Sequence, residues 1–365
     1  MKNITDIASA FSFKGTLVNS EPYGNGHIND TFALTYDDGG RVKRYILQRM
    51  NKSVFPDIDV LMENVAAVTE FLREKIDGRG GDSDRECLTL VRTKDGKSYY
   101  KDEIGDCWRA FLFIENTEAY QIVDSAEVFE NAGRAFGVFI AGLADFDASK
   151  LGEVIKNFHN TRDRYAKFLN ALKADKAGRA AGVAKEIEFV KNREAYCGKV
   201  VDMLAKGEIP LRVTHNDTKL NNILIDKDTK KAICVIDLDT IMPGSLLYDF
   251  GDAVRFGCST AAEDEKDLDK VHFDISLYEA FAKGFLSGIG ASITDKEVEN
   301  LAFGSILMTY ECGMRFLTDY LDGDNYFKTA YPEHNLVRCR TQFRLVEEME
   351  AKTGDMNLIA RKYAK

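Results

Sequence analysis

The first third of the chain has the alternation of apolar and polar residues that is typical of β-strands. Two β-rich runs, residues 31–36 and 44–49, flank Asp37-Asp38-Gly39-Gly40, a sequence that favours a hairpin turn. Apolar residues then recur at helical spacing over residues 57–75, which predicts one helix. Further strands are predicted at residues 88–93 and 108–115, with an extended stretch at residues 11–23 and a polar loop at residues 76–86.

From about residue 117 onwards the pattern becomes helical. Amphipathic segments predict helices at residues 126–143, 184–205, 277–286, 296–321 and 337–352. One short β-rich interval, residues 211–239, interrupts them. The change near residue 116 predicts an α+β fold with a β-rich N-terminal lobe, residues 1–116, and a mostly helical C-terminal lobe, residues 117–365.

Composition limits the classes of function. The 365 residues include 49 Lys and Arg against 59 Asp and Glu, so the formal net charge is -10. An acidic surface argues against non-specific binding to nucleic acid or to anionic membranes. No apolar run reaches the length of a membrane span, the N-terminus lacks a signal-peptide pattern, and the seven Cys are dispersed without a CxxC pair. We therefore expect a cytoplasmic protein from a reducing compartment.

The densest polar chemistry lies in the β-rich interval. His215, Asp217, Lys219 and Asn222 form the pattern H-x-D-x-K-x-x-N, and Asp237 ends a second apolar segment 15 residues after Asn222. Phosphoryl transfer uses these residue types, because one carboxylate must orient the acceptor hydroxyl while an amide oxygen and another carboxylate hold magnesium against the triphosphate. Each residue alone would also fit a polar loop. The whole pattern, with an apolar strand before and after it, predicts a phosphotransferase site.

This segment resembles the catalytic loop of the aminoglycoside phosphotransferase and choline kinase superfamily, relatives of the protein kinases. The resemblance implies a two-lobed protein-kinase-like fold, ATP and Mg²⁺ as cofactors, and direct transfer without a covalent enzyme intermediate. It implies that Asp217 is the catalytic base, with Asn222 and Asp237 as magnesium ligands. The other implied roles are Asp239 as a second metal-side carboxylate, His215 as the brace of the loop and Lys219 as a phosphate-facing cation.

Asp249-Phe250-Gly251 spells the DFG motif of protein kinases, but it follows Asn222 by 27 residues, which is too far for the usual arrangement. The motif also precedes a predicted helical segment, whereas Asp237 ends a predicted strand. We therefore expect Asp249 and Asp252 to brace the catalytic loop or to serve the acceptor site.

The same resemblance assigns nucleotide contacts to the N-terminal lobe. Gly24-Asn25-Gly26 lies between two strands, where kinases have a loop that covers the phosphates, although such glycines can also mark a plain hairpin. The connection between the lobes, which includes Glu115 and Thr117, would offer backbone hydrogen bonds to adenine.

A kinase also needs a strand cation for the phosphates and a helix carboxylate to pair with it. Glu63 occupies the position of that carboxylate, although a solvated Glu would also fit. The strand Lys is missing, and strand alternation leaves Gln48 or Arg49 near its place. Arg49 is the better chemical substitute, and the register of the strand decides between the two.

Segments throughout the chain resemble a narrower branch of the superfamily, the N-acetylhexosamine 1-kinases. These segments are residues 23–29, 45–51, 54–57, 158–161, 315–321 and 331–336. The resemblance implies transfer of the γ-phosphoryl group of ATP to the anomeric hydroxyl of N-acetylglucosamine or N-acetylgalactosamine. It places His27, Arg315 and Tyr326 around the sugar, with His159 and Asp252 as further candidates.

Two alternatives remain open on the sequence. The same machinery could act on an amino-alcohol, homoserine or an aminoglycoside, and a cationic acceptor would need a cluster of carboxylates. The carboxylates that keep this option open are Asp249, Asp252, Glu311 and Asp319. The missing strand Lys would suit a nucleotide-binding pseudo-kinase, although the complete set of Asp217, Asn222 and Asp237 argues against it. The oligomeric state does not follow from the sequence.

Overall fold

The computed structural model describes residues 4–24, 28–120 and 122–364. The chain forms two compact units, each with its own core. The first unit comprises Met1–Ala119, Asp145–Lys156 and Ile223–Met242, and the second comprises Tyr120–Ala144, Asn157–Asn222 and Pro243–Lys365. The predicted boundary at residue 116 lies close to the end of the first continuous stretch. The two later segments of the first unit were not predicted.

The elements are numbered in chain order. The strands are β1 (Thr16–Pro22), β2 (Asp30–Asp37), β3 (Val42–Met50), β4 (Leu90–Val91), β5 (Tyr100–Lys101), β6 (Cys107–Leu112), β7 (Thr117–Glu118), β8 (Arg212–Thr214), β9 (Ile223–Asp226), β10 (Ala232–Val235) and β11 (Met242–Gly244). The helices are α1 (Ile4–Ala8), α2 (Ile58–Gly78), α3 (Ser83–Glu86), α4 (Ala126–Gly142), α5 (Thr161–Ala174), α6 (Ala184–Lys191), α7 (Tyr196–Ala205), α8 (Leu246–Gly257), α9 (Ile275–Ile289), α10 (Asp295–Val298), α11 (Leu301–Asp322), α12 (His334–Ala351) and α13 (Thr353–Tyr363).

The main sheet of the first unit is antiparallel, in the order β1-β2-β3-β6-β4, with β5 also paired to β6. The predicted hairpin is confirmed, because β2 and β3 pair from Asp30↔Arg49 to Asp37↔Val42. One face of this sheet carries an aromatic core that packs against α1 and includes Leu47 and Trp108. Alternation of side chains across the sheet then fixes which residues of β3 share that face.

The long helix of the first unit confirms the prediction for residues 57–75. Asp57 caps α2 by accepting a hydrogen bond from the backbone N–H of Val60, and the helix continues to Gly78. The predicted loop at residues 76–86 is therefore wrong in part. Its last residues form the short helix α3, capped by Asp82, whose carboxylate accepts from the N–H of Asp84.

The first unit also contains a small sheet in the order β10-β9-β7. Its strands β9 and β10 come from the segment Ile223–Met242, and β7 comes from the end of the first stretch. β9 and β10 pair antiparallel, with Val235 opposite Ile223. Immediately after β10 the backbone turns at Asp237, which has the left-handed angles φ 60° and ψ 59°, and continues into one 3₁₀ turn, Leu238–Thr240. This turn presents Asp237 and Asp239, two of the predicted metal-side residues.

The second unit is built around helices. α4 and α9 pack closely through glycines, because a Cβ at Gly133 or Gly137 would overlap the backbone of α9, and one at Gly284 or Gly288 would overlap the backbone of α4. The predicted helices at residues 126–143, 277–286 and 337–352 are confirmed. Two other segments, each predicted as one helix, form two: residues 184–205 contain α6 and α7, and residues 296–321 contain α10 and most of α11.

Two helices of the second unit were not predicted. α5 begins at Thr161, after the cap residue Asn160, and α13 follows α12 towards the C-terminal end. Within the described ranges, no helix has the length and apolar character needed to cross a membrane.

Candidate active site

The loop that contains the H-x-D-x-K-x-x-N pattern, residues 215–222, follows β8. Hydrogen bonds to residues of α8 hold this loop in place. The Asp249 carboxylate on α8 accepts hydrogen bonds from the backbone N–H groups of His215, at 2.8 Å, and Asn216, at 2.7 Å. Asn216 has a positive φ of 64°, and its own N–H and that of His215 converge on the one Asp249 carboxylate. The Thr218 hydroxyl donates to the carbonyl oxygen of Asp249 at 2.6 Å.

Asp217 stands at the tip of this loop with a side chain that is 27% exposed. Lys219 Nζ lies 2.5 Å from its Oδ1. The Asn222 side-chain amide donates to Asp217 Oδ2 at 3.1 Å and to its backbone oxygen at 2.8 Å. The backbone N–H of Asp217 donates to His215 Nδ1 at 3.2 Å, which fits the bracing role predicted for His215. The structure therefore brings all four residues of the H-x-D-x-K-x-x-N pattern together.

Charges around the loop are strongly coupled. Burial alone would lower the pKa of the Lys219 ammonium, but the adjacent Asp217 carboxylate outweighs it and the pKa is raised. Lys219 is therefore a permanent cation beside the proposed base.

Asp249 and Asp252 lie inside α8, which begins after the cap residue Ser245, so the prediction that the DFG motif precedes a helix is corrected. Burial raises the pKa of Asp249 to about 6. Burial would also raise the pKa of Asp252, but Arg255, Lys219 and His159 outweigh it and lower that pKa. Arg255 binds Asp252 Oδ1 through Nε at 3.0 Å and Nη2 at 2.9 Å, and the N–H of Thr218 donates to Oδ2 at 3.2 Å.

The predicted acceptor residues of the second unit lie along α11 and its neighbours. His159 Nδ1 lies 2.9 Å from Glu311 Oε1, and the Thr161 hydroxyl donates to Glu311 Oε2. Arg315, one helical turn further along, has its guanidinium carbon 5.6 Å from the ring centre of Phe158 and 5.8 Å from that of Tyr326. Tyr326 itself is 66% exposed.

In the first unit, Asp237 is exposed whereas Asp239 is buried. Arg109 Nη1, on β6, lies 2.5 Å from Asp239 Oδ1, and the Asn29 side-chain amide donates to Asp239 Oδ2 at 2.6 Å. Sequence reasoning missed Arg109, because its importance depends on which strand pairs with β3. The spacing of charged residues along β6 carries no signal of that pairing.

The register of the sheet answers the question about the strand cation. Gln48 is paired with Arg109, and its side-chain oxygen accepts from Arg109 Nε at 2.9 Å. Arg49 is paired with Trp108 and therefore lies on the opposite face, where it binds Asp30 and, at 3.0 Å, Asp106. The predicted nucleotide contact of Arg49 stays a prediction, and the cation in contact with Gln48 is Arg109.

Helix α2 contributes a side chain next to the predicted one. Glu63 is exposed and forms no ion pair within the residues that the structure describes. Its neighbour Asn64 is buried, and its amide donates to the backbone oxygens of Ile241, at 2.9 Å, and Gly152, at 2.8 Å. Asn64 thus ties α2 to the segment that follows Asp239. The sequence could have indicated it, because a lone Asn on the apolar stripe of a helix needs partners.

The other described residues predicted to contact the nucleotide are Gly24, Glu115 and Thr117. Gly24 is exposed with a positive φ of 76°. Glu115 pairs with Arg44, whose Nε donates to it at 2.9 Å, and the Thr117 hydroxyl donates to the backbone oxygen of Ile114 at 2.9 Å. The predictions for Asn25, Gly26 and His27 lie outside the described residues.

The donor set predicted for magnesium fits that ion chemically. Asn222 directs its NH₂ group at Asp217, which leaves Oδ1 as the acceptor atom of the amide, and Asp237 offers an exposed carboxylate. Mg²⁺ prefers such oxygen ligands and completes its shell with water and substrate phosphates. Asn222 and Asp237 belong to different compact units. Across residues 4–24, 28–120 and 122–364, no group of three or more His, Cys, Asp and Glu side chains is arranged to hold a metal.

Comparison with solved structures supports the fold class. The chain is similar to a microcompartment-associated aminopropanol kinase (15% identity, 98% and 99% of the two chains covered, TM-score 0.61). It is also similar to choline kinase from Cryptosporidium parvum Iowa II (12%, 96% and 96%, 0.59) and to a spectinomycin phosphotransferase in complex with ADP and spectinomycin (13%, 96% and 97%, 0.56). The predicted α+β kinase-like fold is thereby confirmed.

A comparison with family models identifies the family of the chain. Residues 20–281 match the model described as the phosphotransferase enzyme family (APH), and this stretch covers most of the chain, including the catalytic loop and Asp237. The chain therefore belongs to the phosphotransferase enzyme family.

Proposed function

We propose that the protein is an ATP- and Mg²⁺-dependent small-molecule kinase that phosphorylates the anomeric hydroxyl of an N-acetylhexosamine. Asp217 is the proposed catalytic base. The acceptor oxygen would bond to the γ-phosphorus while the bond from that phosphorus to the β–γ bridging oxygen breaks. ADP then leaves, and the hydroxyl proton passes to Asp217.

The catalytic loop supports this role for Asp217. Its carboxylate is partly exposed, and the contacts from Lys219 and Asn222 restrict its rotation without covering it. Mg²⁺, held by Asn222 and Asp237, would offset the negative charge of the phosphates during transfer. Lys219 would contribute a second positive charge beside the acceptor oxygen.

The observation that carries the choice of a neutral acceptor is the state of four carboxylates. A cationic acceptor such as choline or an aminoglycoside needs carboxylates whose charge is available to it. Asp249 accepts two backbone N–H groups, and Asp252 is bound by Arg255 and Thr218. Glu311 is bound by His159 and Thr161. These three carboxylates are therefore already matched with donors of the protein.

The fourth carboxylate, Asp319, holds the loop that carries Tyr326. It accepts from the backbone N–H groups of Asn325, at 2.9 Å, Tyr326, at 2.8 Å, and Phe327, at 2.9 Å, and from the Asn335 amide at 2.8 Å. The Asp319 carboxylate is therefore already bound to the groups of this loop. The result is an exposed aromatic ring beside a guanidinium, which suits a neutral sugar because such a ligand is recognised by an apolar wall and directional donors.

A panel of acceptors tests this proposal. ADP release would be measured with Mg²⁺ and ATP in the presence of N-acetylglucosamine, N-acetylgalactosamine, glucose, choline, homoserine or kanamycin. We expect turnover with the N-acetylated sugars and little with the cationic compounds. Turnover with only a cationic acceptor would contradict the choice of acceptor and keep the phosphotransfer chemistry. Binding of ATP without turnover on any acceptor would favour a pseudo-kinase.

A further inference from the structure

A row of polar side chains crosses one face of the main sheet in the first unit. Thr31, Gln48 and Arg109 are neighbours on β2, β3 and β6. The Gln48 amide donates to the Thr31 hydroxyl at 3.1 Å and accepts from Arg109 Nε at 2.9 Å. Arg109 then reaches Asp239, so the row ends at the turn that follows β10. Four polar side chains are thus joined in one chain of contacts.

A second contact reaches the same carboxylate from the start of β2. Asn29 donates to Asp239 Oδ2 at 2.6 Å, and its own side-chain oxygen accepts from the backbone N–H of Asn51 at 3.0 Å. Asp239 therefore has an ion-pair contact at one oxygen and a hydrogen bond at the other. Asn29 lies five residues after Gly24 in the sequence.

The turn is held from α2 as well. Asn64 donates to the backbone oxygen of Ile241 at 2.9 Å. Asp237, between β10 and these anchors, keeps left-handed backbone angles that cost energy for a residue with a Cβ. Such a conformation persists only where the surroundings fix it, and the contacts to Asp239 and Ile241 do so on the C-terminal side of Asp237.

We propose that Arg109 is a positioning residue that acts through Asp239 to orient Asp237 for Mg²⁺ and nucleotide. In this arrangement Asp239 anchors the turn rather than the metal: Arg109 Nη1 lies 2.5 Å from its Oδ1, and the Asn29 amide donates to its Oδ2. Arg109 supplies a cation on the face of Gln48, where the strand Lys is missing, but its partner is Asp239 of the metal-side turn and not a carboxylate on α2. The inference rests on the proposed Mg²⁺ and ATP site and not on the identity of the acceptor.

The test measures how much Mg²⁺ improves nucleotide binding. A non-hydrolysable ATP analogue would be titrated calorimetrically with and without Mg²⁺, in the absence of any acceptor. The proteins are the wild type, Arg109→Met, Arg109→Lys, Asp239→Asn and the double variant Arg109→Met/Asp239→Asn. Arg92→Met serves as control, because Arg92 forms an exposed ion pair with Glu70 in the same unit. Thermal unfolding of each protein checks that it is folded.

We expect Arg109→Met to lose about tenfold to a hundredfold of the improvement that Mg²⁺ gives the wild type, the range for residues that orient metal ligands. Arg109→Lys should recover part of it because it keeps the charge. Asp239→Asn should lose about as much as Arg109→Met, and the double variant no more, because both act through one contact.

Two results would overturn the inference. One is an Arg109→Met protein with the full improvement, and the other is a double variant whose loss is the product of the single losses, as expected if Arg109 and Asp239 acted independently. Absence of any Mg²⁺ effect in the wild type would overturn the proposed function together with this inference. A wild type that responds to Mg²⁺ beside an unaffected Arg109→Met protein would overturn the inference alone.

Discussion

Arg109 Nη1 lies 2.5 Å from Asp239 Oδ1, and the two side chains are only 3% and 6% exposed. A buried ion pair of this kind is maintained only when further hydrogen bonds satisfy its remaining groups, and Gln48 and Asn29 provide them. The pair connects the main sheet of the first unit to the turn that carries Asp237. A cation on β6 thereby serves a segment that lies more than a hundred residues later in the chain.

The pair between Arg255 and Asp252 makes a prediction about stability. Each of these side chains is 10% exposed, so Arg255→Met leaves a buried carboxylate without its main partner. We expect the free energy of unfolding to fall by about 3 to 5 kcal/mol. Urea denaturation followed by circular dichroism would measure it.

Two controls define the origin of that loss. Arg92→Met removes an exposed ion pair and should cost about 1 kcal/mol or less. The double variant Asp252→Asn/Arg255→Met should be more stable than Arg255→Met, because no unpaired charge remains. A double variant as unstable as the single one would show that packing and not charge explains the effect.

The raised pKa of Asp249 predicts how stability depends on pH. The folded protein keeps the Asp249 proton up to a pKa of about 6, whereas the unfolded chain releases it near the ordinary Asp value. The unfolded state therefore binds fewer protons in this window, and the contribution of Asp249 to stability falls as the pH rises from about 4 to 6.

Asp249→Asn removes this titration without a large change in shape. Between pH 5 and pH 7, the free energy of unfolding of the wild type should fall by about 1 kcal/mol relative to the variant. Urea denaturation of both proteins at the two pH values would measure the difference. A constant difference would mean that Asp249 is already ionised at pH 5 in the folded protein.

The close packing of α4 and α9 predicts that Gly284 tolerates no side chain. A Cβ there would overlap the carbonyl oxygen of Glu130, which belongs to a rigid helix. We expect Gly284→Ala to lower the free energy of unfolding by about 1 to 3 kcal/mol or more. Gly182→Ala is the matched control, since a Cβ at Gly182 would have no heavy atom within 4 Å. Equal stability of the two variants would contradict the helix packing.

The loop held by Asp319 predicts a selective effect on the acceptor. Asp319→Asn keeps the size of the side chain but weakens its bonds to the N–H groups of Asn325, Tyr326 and Phe327. We expect KM for N-acetylglucosamine to rise about tenfold while KM for ATP changes little, because Tyr326 would lose its fixed position. Asp322→Asn, which removes an exposed pair with Lys176, is the control. A parallel rise of both KM values would argue against an acceptor role for this loop.

The sequence correctly predicted the helices and turns that depend on residues close together in the chain. The turn at Asp37–Gly40 and the apolar stripe of α2 depend on neighbouring residues, and both were predicted correctly. α5 was missed because its segment is mostly polar, although Asn160 followed by Asp163 is a recognisable helix start. The break between α6 and α7 has no Pro or Gly at residues 192–195 to announce it.

The candidate site also contains parts that the sequence could predict and parts that it could not. His215, Asp217, Lys219 and Asn222 lie within eight residues, so their pattern was visible and the fold brings them together. The partnership of Arg109 with Asp239 depends on the register of β3 against β6, which involves residues far apart in the chain. Neither the spacing nor the chemistry of the sequence fixes that register.

We propose that Asp217 activates the anomeric hydroxyl of an N-acetylhexosamine. The most direct test is phosphorus and proton NMR of the product formed from N-acetylglucosamine, Mg²⁺ and ATP by the wild type and by Asp217→Asn at equal concentration. We predict a product in which phosphorus couples to the anomeric proton, formed at least about a hundredfold more slowly by a folded Asp217→Asn protein. Phosphate on another hydroxyl would contradict the proposed anomeric specificity. A near-normal rate in Asp217→Asn would contradict the proposed role of Asp217.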